Sequence, residues 1–425
     1  MPEVTDDTPV HLTEVDVDLD VQEILLAASQ HDQSKLRRLL RTQSMLPDAA
    51  NVKDTETGFS PLHAAIAACE PDTETTGANG ATTSDSNPKG LDANTVKSAV
   101  ETVQFLLQEG AIWNDLDANN ETPGCIARRI GALELYELIV DAGVRAELLL
   151  NRLDAYEELA DDDDEEEEEE EAEAEASAEA ETAPELVDAS AEPTTETTTT
   201  TTPANPEVSN SQYLESRLNI QNDRILDSDQ NGVMMRWESD IMRKSATALL
   251  PTPGLKVLNI GHGMGIVDGF FQEQGPAVHH IVEAHEEVVA EMKRRGWDTK
   301  PGVVIHQGRW QDILPGLVAA GETFDAIYYD TFAESYGDFR EFFSEQVIGL
   351  LEQEGRWGFF NGMGADRQIS YDVYQKVAEM DLFEAGFDVQ WEEISVPKLD
   401  GEWEGVRRAY WVVDDYRLPL CKFMD

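Results

Sequence analysis

The stretch that decides the fold is Lys256-Val-Leu-Asn-Ile-Gly-His-Gly-Met-Gly265, in which a short apolar run leads directly into three closely spaced glycines. The first five residues have the composition of a buried β-strand, and a helical stretch follows Gly265. A glycine-rich turn between a strand and a helix lets the backbone approach a ligand, with the helix N-terminus beyond it. The sequence therefore predicts a ligand-binding turn at residues 261–265.

The next predicted strand, His280-Ile-Val-Glu283, ends in an acid 22 residues after Gly261. An acid at that position is placed to accept hydrogen bonds from both hydroxyls of a ribose. A full dinucleotide motif needs a third glycine at position 266, which is Ile266 here, and no second nucleotide-binding half follows. The pattern favours a single nucleoside, S-adenosylmethionine, over NAD, and an ordinary structural turn is the third interpretation.

The remaining C-terminal half alternates between apolar strands and helices, which is typical of an α/β fold with a mostly parallel sheet. Further strands are predicted at 303–306, 324–330 and 355–360, followed by a closing pair at 389–396 and 408–413 with the last strand reversed. Ligands bind beyond the carboxyl ends of such strands. The strand ends are predicted to bring together Gly261, Glu283, Trp310 and Asp330.

The N-terminal half contains a repeat. Gly110 and Gly143 end two similar phrases 33 residues apart, which is the period of the ankyrin unit. Residues 60–65, Ser-Pro-Leu-His-Ala-Ala, resemble the signature of that unit, and we expect His63 to cap or bridge local backbone. A helix pair is predicted at 21–29 and 35–41. We assign residues 21–157 to an α-helical, ankyrin-like domain with a loop inserted at about 71–94.

Two segments are predicted to be disordered, residues 1–20 and the acidic, Thr-rich linker 158–209. The linker includes an unbroken acidic run from Asp161 to Glu171. One interpretation is a solvated spacer. The other is that the run concentrates a basic protein substrate near the C-terminal domain by long-range attraction.

The charge balance limits the partners. The 425 residues carry 31 Lys and Arg against 86 Asp and Glu, a net charge of −55, and residues 210–425 alone carry −17. Such acidity argues against a nucleic-acid partner, because the phosphate backbone would be repelled. No apolar run approaches the roughly 18 residues of a membrane helix. Three widely separated cysteines predict a reduced, intracellular protein without a metal motif: Cys69, Cys125 and Cys421.

Five ordered motifs in the C-terminal half resemble guanidinoacetate N-methyltransferase: VMMRWESDIM at 233–242, GHGMGI at 261–266, EAH at 283–285, GRWQ at 308–311 and YDT at 329–331. With its repeat-containing front and acidic linker, the whole chain resembles the fungal protein-arginine N5-methyltransferase family. The resemblance implies a seven-stranded, Rossmann-like, S-adenosylmethionine-dependent methyltransferase domain over residues 210–425.

The resemblance also implies roles for particular residues. Contacts with the cofactor are implied for Tyr213, Met242, Gly261, His262, Gly263, Met264, Gly265, Ile266, Glu283, Ala284, His285, Trp310, Gln311 and Asp330. Contacts with the guanidino substrate are implied for Met234 and Glu238. Glu238 and Asp330 are the predicted catalytic pair. Other interpretations stay open: an exposed helix acid for Glu238, a strand-end cap for Asp330, and plain core for the methionines.

The family's activity would be a single methylation of the internal, δ nitrogen of arginine in a protein. By resemblance the substrate class is ribosomal protein, and the location is cytoplasm and nucleus. The paired-glutamate loop and Thr-His-Trp signature of enzymes that methylate terminal guanidino nitrogens are missing. Two alternatives are a methyltransferase for small guanidino metabolites and a non-catalytic adaptor that retains the cofactor fold.

Overall fold

The computed structural model describes residues 14–43, 46, 48–71, 92–152 and 208–424. The chain divides into two compact units, one of residues 1–145 with 367–373 and one of residues 146–366 with 374–425. Residues 1–13 and 158–207, from the two segments predicted to be disordered, and residues 72–91, from the predicted inserted loop, lie outside the described ranges.

The described residues of the first unit form helices and turns and no β-strand. The predicted helix pair is confirmed, but the first helix begins at Glu14, inside the segment assigned to N-terminal disorder. No proline or glycine interrupts residues 14–29, so nothing in the sequence stops the helix there. The helices are α1 (Glu14–Ser29), α2 (Gln33–Arg38) continued by a π turn (Leu39–Gln43), α3 (Pro61–Ala67), α4 (Ala93–Gln108), α5 (Pro123–Ile130) and α6 (133–152).

Helices α3 and α5 begin in the same way. The hydroxyls of Ser60 and Thr122 cap the two N-termini, and each helix has proline in its first turn. The buried ring of His63 accepts a hydrogen bond from the backbone N–H of Ser60 at 3.2 Å, and its Nε2 lies 3.1 Å from the carbonyl oxygen of Glu121. The prediction that His63 caps and bridges local backbone is confirmed.

The second unit begins with elements that the sequence analysis did not assign. A short helix is followed by a small antiparallel sheet, a 3₁₀ turn that carries Glu238, and a longer helix. These elements are α7 (Asn210–Glu215), β1 (Asn219–Ile220), β2 (Arg224–Leu226), β3 (Gly232–Met235) and α8 (Ser239–Leu249). A buried apolar cluster, with Met242 wholly inside it, packs α8 against the main sheet.

The main sheet has seven strands in the order β6-β5-β4-β7-β8-β10-β9. The first five are parallel, and β10 is antiparallel to both of its neighbours. The predicted seven-stranded α/β sheet with a reversed last strand is confirmed. The elements are β4 (Lys256–Ile260), α9 (Ile266–Gln274), β5 (Val278–Glu283), α10 (Glu286–Arg294), β6 (Val303–Gln307), α11 (Trp310–Ala319), β7 (Phe324–Tyr329), α12 (Tyr336–Glu341), a π segment (Phe342–Val347), α13 (Ile348–Leu350), β8 (Leu351–Phe359), α14 (Gln368–Glu384), β9 (Phe387–Ser395) and β10 (Asp415–Phe423).

The predicted position of the last strand is wrong. Residues 408–413 are irregular, and the strand that pairs with β9 is Asp415–Phe423. Residues 409–413 form a continuous apolar run, which is typical of a buried strand, but here Trp411 and Val413 are buried because the loop packs on the domain. The true strand contains Pro419, a residue that usually argues against a strand between two neighbours.

Backbone hydrogen bonds hold three strand ends level. The N–H of Gly261, just after β4, donates to Val282 in β5 at 2.9 Å. The N–H of Asp330, just after β7, donates to Ile260 in β4 at 2.9 Å. The glycine turn, Glu283 and Asp330 therefore meet at one edge of the sheet, as the sequence analysis predicts.

Candidate active site

Two positions of the glycine turn favour glycine. Gly261 has a φ of +89°, and a Cβ atom there would lie 1.9 Å from the carbonyl oxygen of Asp330, just after β7. Gly263 has a φ of +52°, and a Cβ there would lie 2.7 Å from the sulfur of Met234, near the end of a flexible side chain. Because both backbone conformations strain a side chain, and the space at Gly261 also excludes one, the turn exposes its main chain.

A buried hydrogen-bond network, which we call the turn network, supports the turn. It consists of Asn259, His262, Asp268 and His279, all at most 2% exposed. Asp268 accepts hydrogen bonds from Nδ1 of His262 at 2.6 Å, Nε2 of His279 at 2.8 Å and the amide of Asn259 at 2.9 Å. Burial alone would raise the pKa of Asp268, but His262 and His279 outweigh it and hold the pKa at about 2.

Glu283, at the end of β5, is bound to the turn by its carboxylate. One oxygen accepts from the backbone N–H of His262 at 2.9 Å and of Gly263 at 3.3 Å, and the other accepts from the N–H of His285 at 2.7 Å. A carboxylate oxygen has two acceptor positions, so these bonds fix the side chain and leave acceptor capacity for a ligand.

The first cavity lies at the carboxyl ends of β4, β5 and β7 and has a volume of about 600 Å³. The ring of Tyr213 packs between His285 and Phe332, with ring centroids 4.9 Å apart in both contacts. The lining is Asn210, Tyr213, Leu214, Val233, Met234, Ile260, Gly261, Gly263, Val282, Glu283, Ala284, Gly308, Arg309, Trp310, Asp330, Thr331, Phe332 and Glu334.

The second cavity adjoins the first and has a volume of about 990 Å³. The two share a wall, which we call the junction: Val233, Asp330, Thr331, Phe332 and Glu334. The other side of the second cavity is largely aromatic, with Phe339, Phe359, Phe360, Tyr374 and Tyr410. Glu238 lines this cavity and not the first.

Two acids in the second cavity are poorly solvated. Burial, reinforced by the charges of Asp268 and Glu283, raises the pKa of Asp330 to about 7, and its buried Oδ2 has no hydrogen-bond partner. Burial also raises the pKa of Glu238 well above its ordinary value, and repulsion from Asp330 adds to the effect. The hydroxyl of Tyr410 and the N–H of Met235 donate to one oxygen of Glu238 and oppose the shift. The site is therefore suited to a cation, which would stabilise both carboxylates.

The structure brings most of the predicted residues to the cavities. Glu238 is buried at 3% exposure, so the exposed-acid interpretation is wrong. Met234, predicted to contact substrate, lines the first cavity rather than the second. Lining the first cavity are Tyr213, Met234, Gly261, Gly263, Glu283, Ala284, Trp310 and Asp330, and lining the second are Glu238 and Asp330.

The other predicted cofactor contacts line neither cavity. Met242, Met264 and Ile266 pack in the apolar cluster under the turn, because they face the core from α8, the turn and α9. His262 belongs to the turn network, and a Cβ on Gly265 would meet its ring. His285 caps α10 and packs against Tyr213. Gln311 follows Trp310, and both polar atoms of its side-chain amide are buried without a partner.

The sequence analysis missed two residues that line the cavities, Tyr410 and Glu334. Tyr410 reaches Glu238 from a loop 172 residues further along the chain, and no local pattern marks that pairing. Glu334 lies four residues after Asp330 and lines both cavities. Its only signal in the sequence is an acid in the loop after a strand end, where ligand contacts collect.

Comparison with known proteins identifies the family. Residues 209–403 match the family model of guanidinoacetate N-methyltransferase. The protein arginine N-methyltransferase 2 of Aspergillus fumigatus is 72% identical over 96% of this chain and 97% of its own length. The protein of that name from Neurospora crassa is 46% identical over 95% of this chain and 96% of its own. The chain belongs to the protein arginine N-methyltransferase 2 family.

Membership of this family shows that the protein is a methyltransferase and that its cofactor is S-adenosylmethionine. A solved S-adenosylmethionine-dependent methyltransferase from Mesorhizobium loti matches with a TM-score of 0.31 and 16% identity over 44% of this chain and 98% of that one. Within the described ranges, no helix has the length and apolarity to cross a membrane. Among the same residues, no group of three His, Cys, Asp or Glu side chains is placed to hold a metal ion.

The first cavity fits this cofactor in the polar groups of its lining. The exposed main chain of the turn would hold the methionine part, and Glu283 would accept from the ribose hydroxyls. The indole of Trp310, which lines the cavity, would border the adenine ring.

Proposed function

We propose that the protein transfers one methyl group to the internal, δ nitrogen of an arginine side chain in a protein substrate. The observation that carries the proposal is the pair of poorly solvated acids, Glu238 and Asp330, in a cavity that adjoins the cofactor cavity. The family name supports arginine as the target. In this proposal the first cavity holds the cofactor and the second holds the arginine.

The two carboxylates address the main chemical difficulty, which is that a guanidinium is charged, delocalised and a poor nucleophile. Bound to the two terminal nitrogens, Glu238 and Asp330 draw the positive charge toward those atoms. The lone pair is then more localised on the δ nitrogen, which can attack. S-adenosylmethionine supplies an electrophilic methyl group on a sulfonium sulfur. Glu238 and Asp330 would hold the guanidinium in place while its δ nitrogen accepts the methyl group in exchange for the bond to sulfur, and the proton on that nitrogen would then pass to solvent.

Positioning and exclusion of water supply the rest. Asp330 lies in the junction, so a guanidinium bound to it lies next to the first cavity. Alignment of this kind can account for much of the acceleration of a displacement. The aromatic wall lowers the local dielectric constant, which strengthens the ion pairs, and ring faces such as that of Tyr410 also attract cations.

The proposal also covers the substrate class, the cellular location and the fold of the N-terminal half. We propose a ribosomal protein as substrate, with the enzyme in cytoplasm and nucleus, on the basis of the family resemblance. We also propose an ankyrin-like fold for residues 21–157, supported by the 33-residue spacing and by the matching starts of α3 and α5. This domain would bind a partner or substrate, and the acidic linker would attract basic proteins.

Fragment mass spectrometry tests the proposal. Ribosomal proteins from a deletion strain, incubated with the full-length protein and labelled S-adenosylmethionine, should gain one methyl group on the δ nitrogen of arginine. Glu238→Gln should lose at least about 2 kcal/mol of transition-state stabilisation, measured from the fall in kcat/KM, while cofactor affinity persists. A methyl group on a terminal nitrogen would contradict the δ assignment, and full turnover by the variant would remove Glu238 from the mechanism.

Gly263→Val is the matching test of the first cavity. Gly263 has a φ of +52°, which a β-branched valine adopts only with strain, so the turn should change shape and calorimetry should detect no cofactor binding. Normal affinity in a folded variant would refute the placement of the cofactor at the turn.

A small guanidino metabolite is the second candidate substrate, because residues 209–403 match the guanidinoacetate N-methyltransferase model. The front half argues against it, since a small metabolite needs no docking domain. Methylation of guanidinoacetate but of no protein would favour this candidate. If labelled cofactor transfers nothing to either substrate, the adaptor interpretation would replace both.

A further inference from the structure

Glu334 accepts three side-chain donors in the loop after β7, and the mechanism above does not use it. Nε1 of Trp310 donates to its two carboxylate oxygens at 3.0 and 3.1 Å. The hydroxyl of Thr331 donates to Oε2 at 2.7 Å, and the hydroxyl of Tyr329 donates to the same oxygen. Glu334 is half-buried and lines both cavities.

The three donors connect the walls of the two cavities. Trp310 is the first residue of α11 and lines the first cavity only. Tyr329 and Thr331 are the residues immediately before and after Asp330 in the chain. Hydrogen bonds to a carboxylate are short and strong. One carboxylate therefore restrains the indole that borders the cofactor cavity and both neighbours of Asp330.

The loop around Glu334 shows that this arrangement is imposed by its contacts. Ala333 has a φ of +60°, a left-handed conformation that residues with a side chain rarely adopt. Such strain persists only where surrounding interactions determine the backbone, and it collects at functional sites. The carbonyl of Phe332 is in turn held by the amide of Asn210 at 3.3 Å.

We propose that Glu334 is a positioning residue that couples the two cavities, by linking the indole of Trp310 to the placement of Asp330. Contact of a cofactor with Trp310 then favours the arrangement of Asp330 that binds a guanidinium. The inference rests on the proposed function, since it takes Asp330 as a substrate-binding group. Its consequence is that filling the first cavity increases affinity in the second.

Calorimetry on the full-length protein can measure this coupling. S-adenosylhomocysteine is the probe for the first cavity, and Nα-acetylarginine methylamide is the probe for the second. The coupling factor is the ratio of the arginine probe's affinities with and without S-adenosylhomocysteine. We expect a factor of about three or more in the unmodified protein and close to one in Glu334→Gln. The two hydroxyls would fill both acceptor positions of the single amide oxygen and leave the indole N–H of Trp310 facing an NH2 group.

Two further variants separate coupling from general damage. Trp310→Phe removes the indole N–H and keeps an aromatic ring, so it should also bring the factor close to one, and combining it with Glu334→Gln should cause no further loss. Glu352→Gln is the matched control. Glu352 is exposed at the start of β8, at the opposite edge of the sheet, and also accepts a hydroxyl, from Thr323. It should keep the unmodified factor.

The outcomes are distinct. An unchanged coupling factor in folded Glu334→Gln, or a factor of one in the unmodified protein, would overturn the inference and leave the proposed function intact. If Glu334→Gln does not fold, Trp310→Phe decides by the same criterion. If the unmodified protein binds S-adenosylhomocysteine but never the arginine probe, the second cavity is not an arginine site, and the proposed function fails together with the inference.

Discussion

Asp268 in the turn network and Asp330 in the junction are both removed from water, yet their environments are opposite. Asp268 is wholly buried and accepts three hydrogen bonds from Asn259, His262 and His279, and its pKa is about 2. Asp330 has a buried oxygen without a partner, and its pKa is about 7. Both acids lie next to the same glycine turn.

The difference separates an acid that stabilises the fold from one whose environment is suited to a bound cation. A buried carboxylate with all its partners stabilises the structure that supplies them, whereas one without partners reduces the stability of the folded chain. An acid of the second kind is expected where a bound cation completes its environment. The turn network therefore supports the glycine turn, and the junction contains a carboxylate oxygen whose missing partner a bound cation would supply.

The largest expected effect comes from removing the acid of the turn network. Asp268→Ala leaves two buried histidines and an amide without their acceptor, and it should lower the free energy of unfolding by about 3–5 kcal/mol. Urea unfolding followed by tryptophan fluorescence measures this, since seven of the eight tryptophans lie in the second unit. A loss below about 1 kcal/mol would mean that the network is not a stabilising element.

The two acids also differ in whether their surroundings could be predicted from the sequence. The glycine turn, Glu283 and Asp330 could be predicted because each follows a local apolar strand, and parallel strands present their ends at one edge. Asp268 could not be distinguished from an ordinary helix acid, because its partners come from β4, the turn and β5. Local patterns do not encode such long-range pairings.

The same limit explains the errors near the C-terminus. The apolar run that contains Tyr410 and Trp411 predicts a strand, and only the folded chain shows that it is a loop from which Tyr410 reaches Glu238. Glu334 and the shared wall of the cavities were missed for a similar reason. Which residues surround a cavity depends on how separate strand ends and loops meet.

The second largest effect should be on activity and not on stability. Asp330→Asn removes one of the two charges proposed to hold the guanidinium, so kcat/KM should fall roughly a hundredfold, about 2.7 kcal/mol. Because the carboxylate is unfavourably buried, the free energy of unfolding should be unchanged or higher at pH 8. Steady-state kinetics and urea unfolding of the same preparation measure both quantities.

A variant with normal kinetics, or one that is destabilised as strongly as Asp268→Ala, would remove the distinction between the two acids. Asp325→Asn is a useful control, because Asp325 lies in β7, the strand that leads to Asp330. Its carboxylate accepts from the backbone N–H of Lys256 at the opposite end of β7, so it should not change kcat/KM.

A smaller effect is expected from pH. Burial and the charges of Asp268 and Glu283 raise the pKa of Asp330 to about 7, so the free enzyme gains the carboxylate as pH rises through 7. For the unmodified protein, kcat/KM should therefore increase roughly tenfold between pH 6 and pH 7.5. The rise in kcat should occur at lower pH, because a bound guanidinium favours the carboxylate. A flat profile over this range would show that Asp330 is already ionised without substrate.

The smallest effect separates two tyrosine–acid pairs. Tyr410 donates to Glu238 in the second cavity, and Tyr336 donates to Asp381 at 2.6 Å outside both cavities. Tyr410→Phe removes a bond that orients a substrate-binding acid, so kcat/KM should fall about fivefold, or about 1 kcal/mol. Tyr336→Phe should lower stability by a similar amount and leave kcat/KM unchanged. If both variants lost activity equally, the loss would come from a general effect of tyrosine hydrogen bonds on the fold. The hydrogen-bond partners of an acid would then not reveal whether it stabilises the fold or binds a ligand.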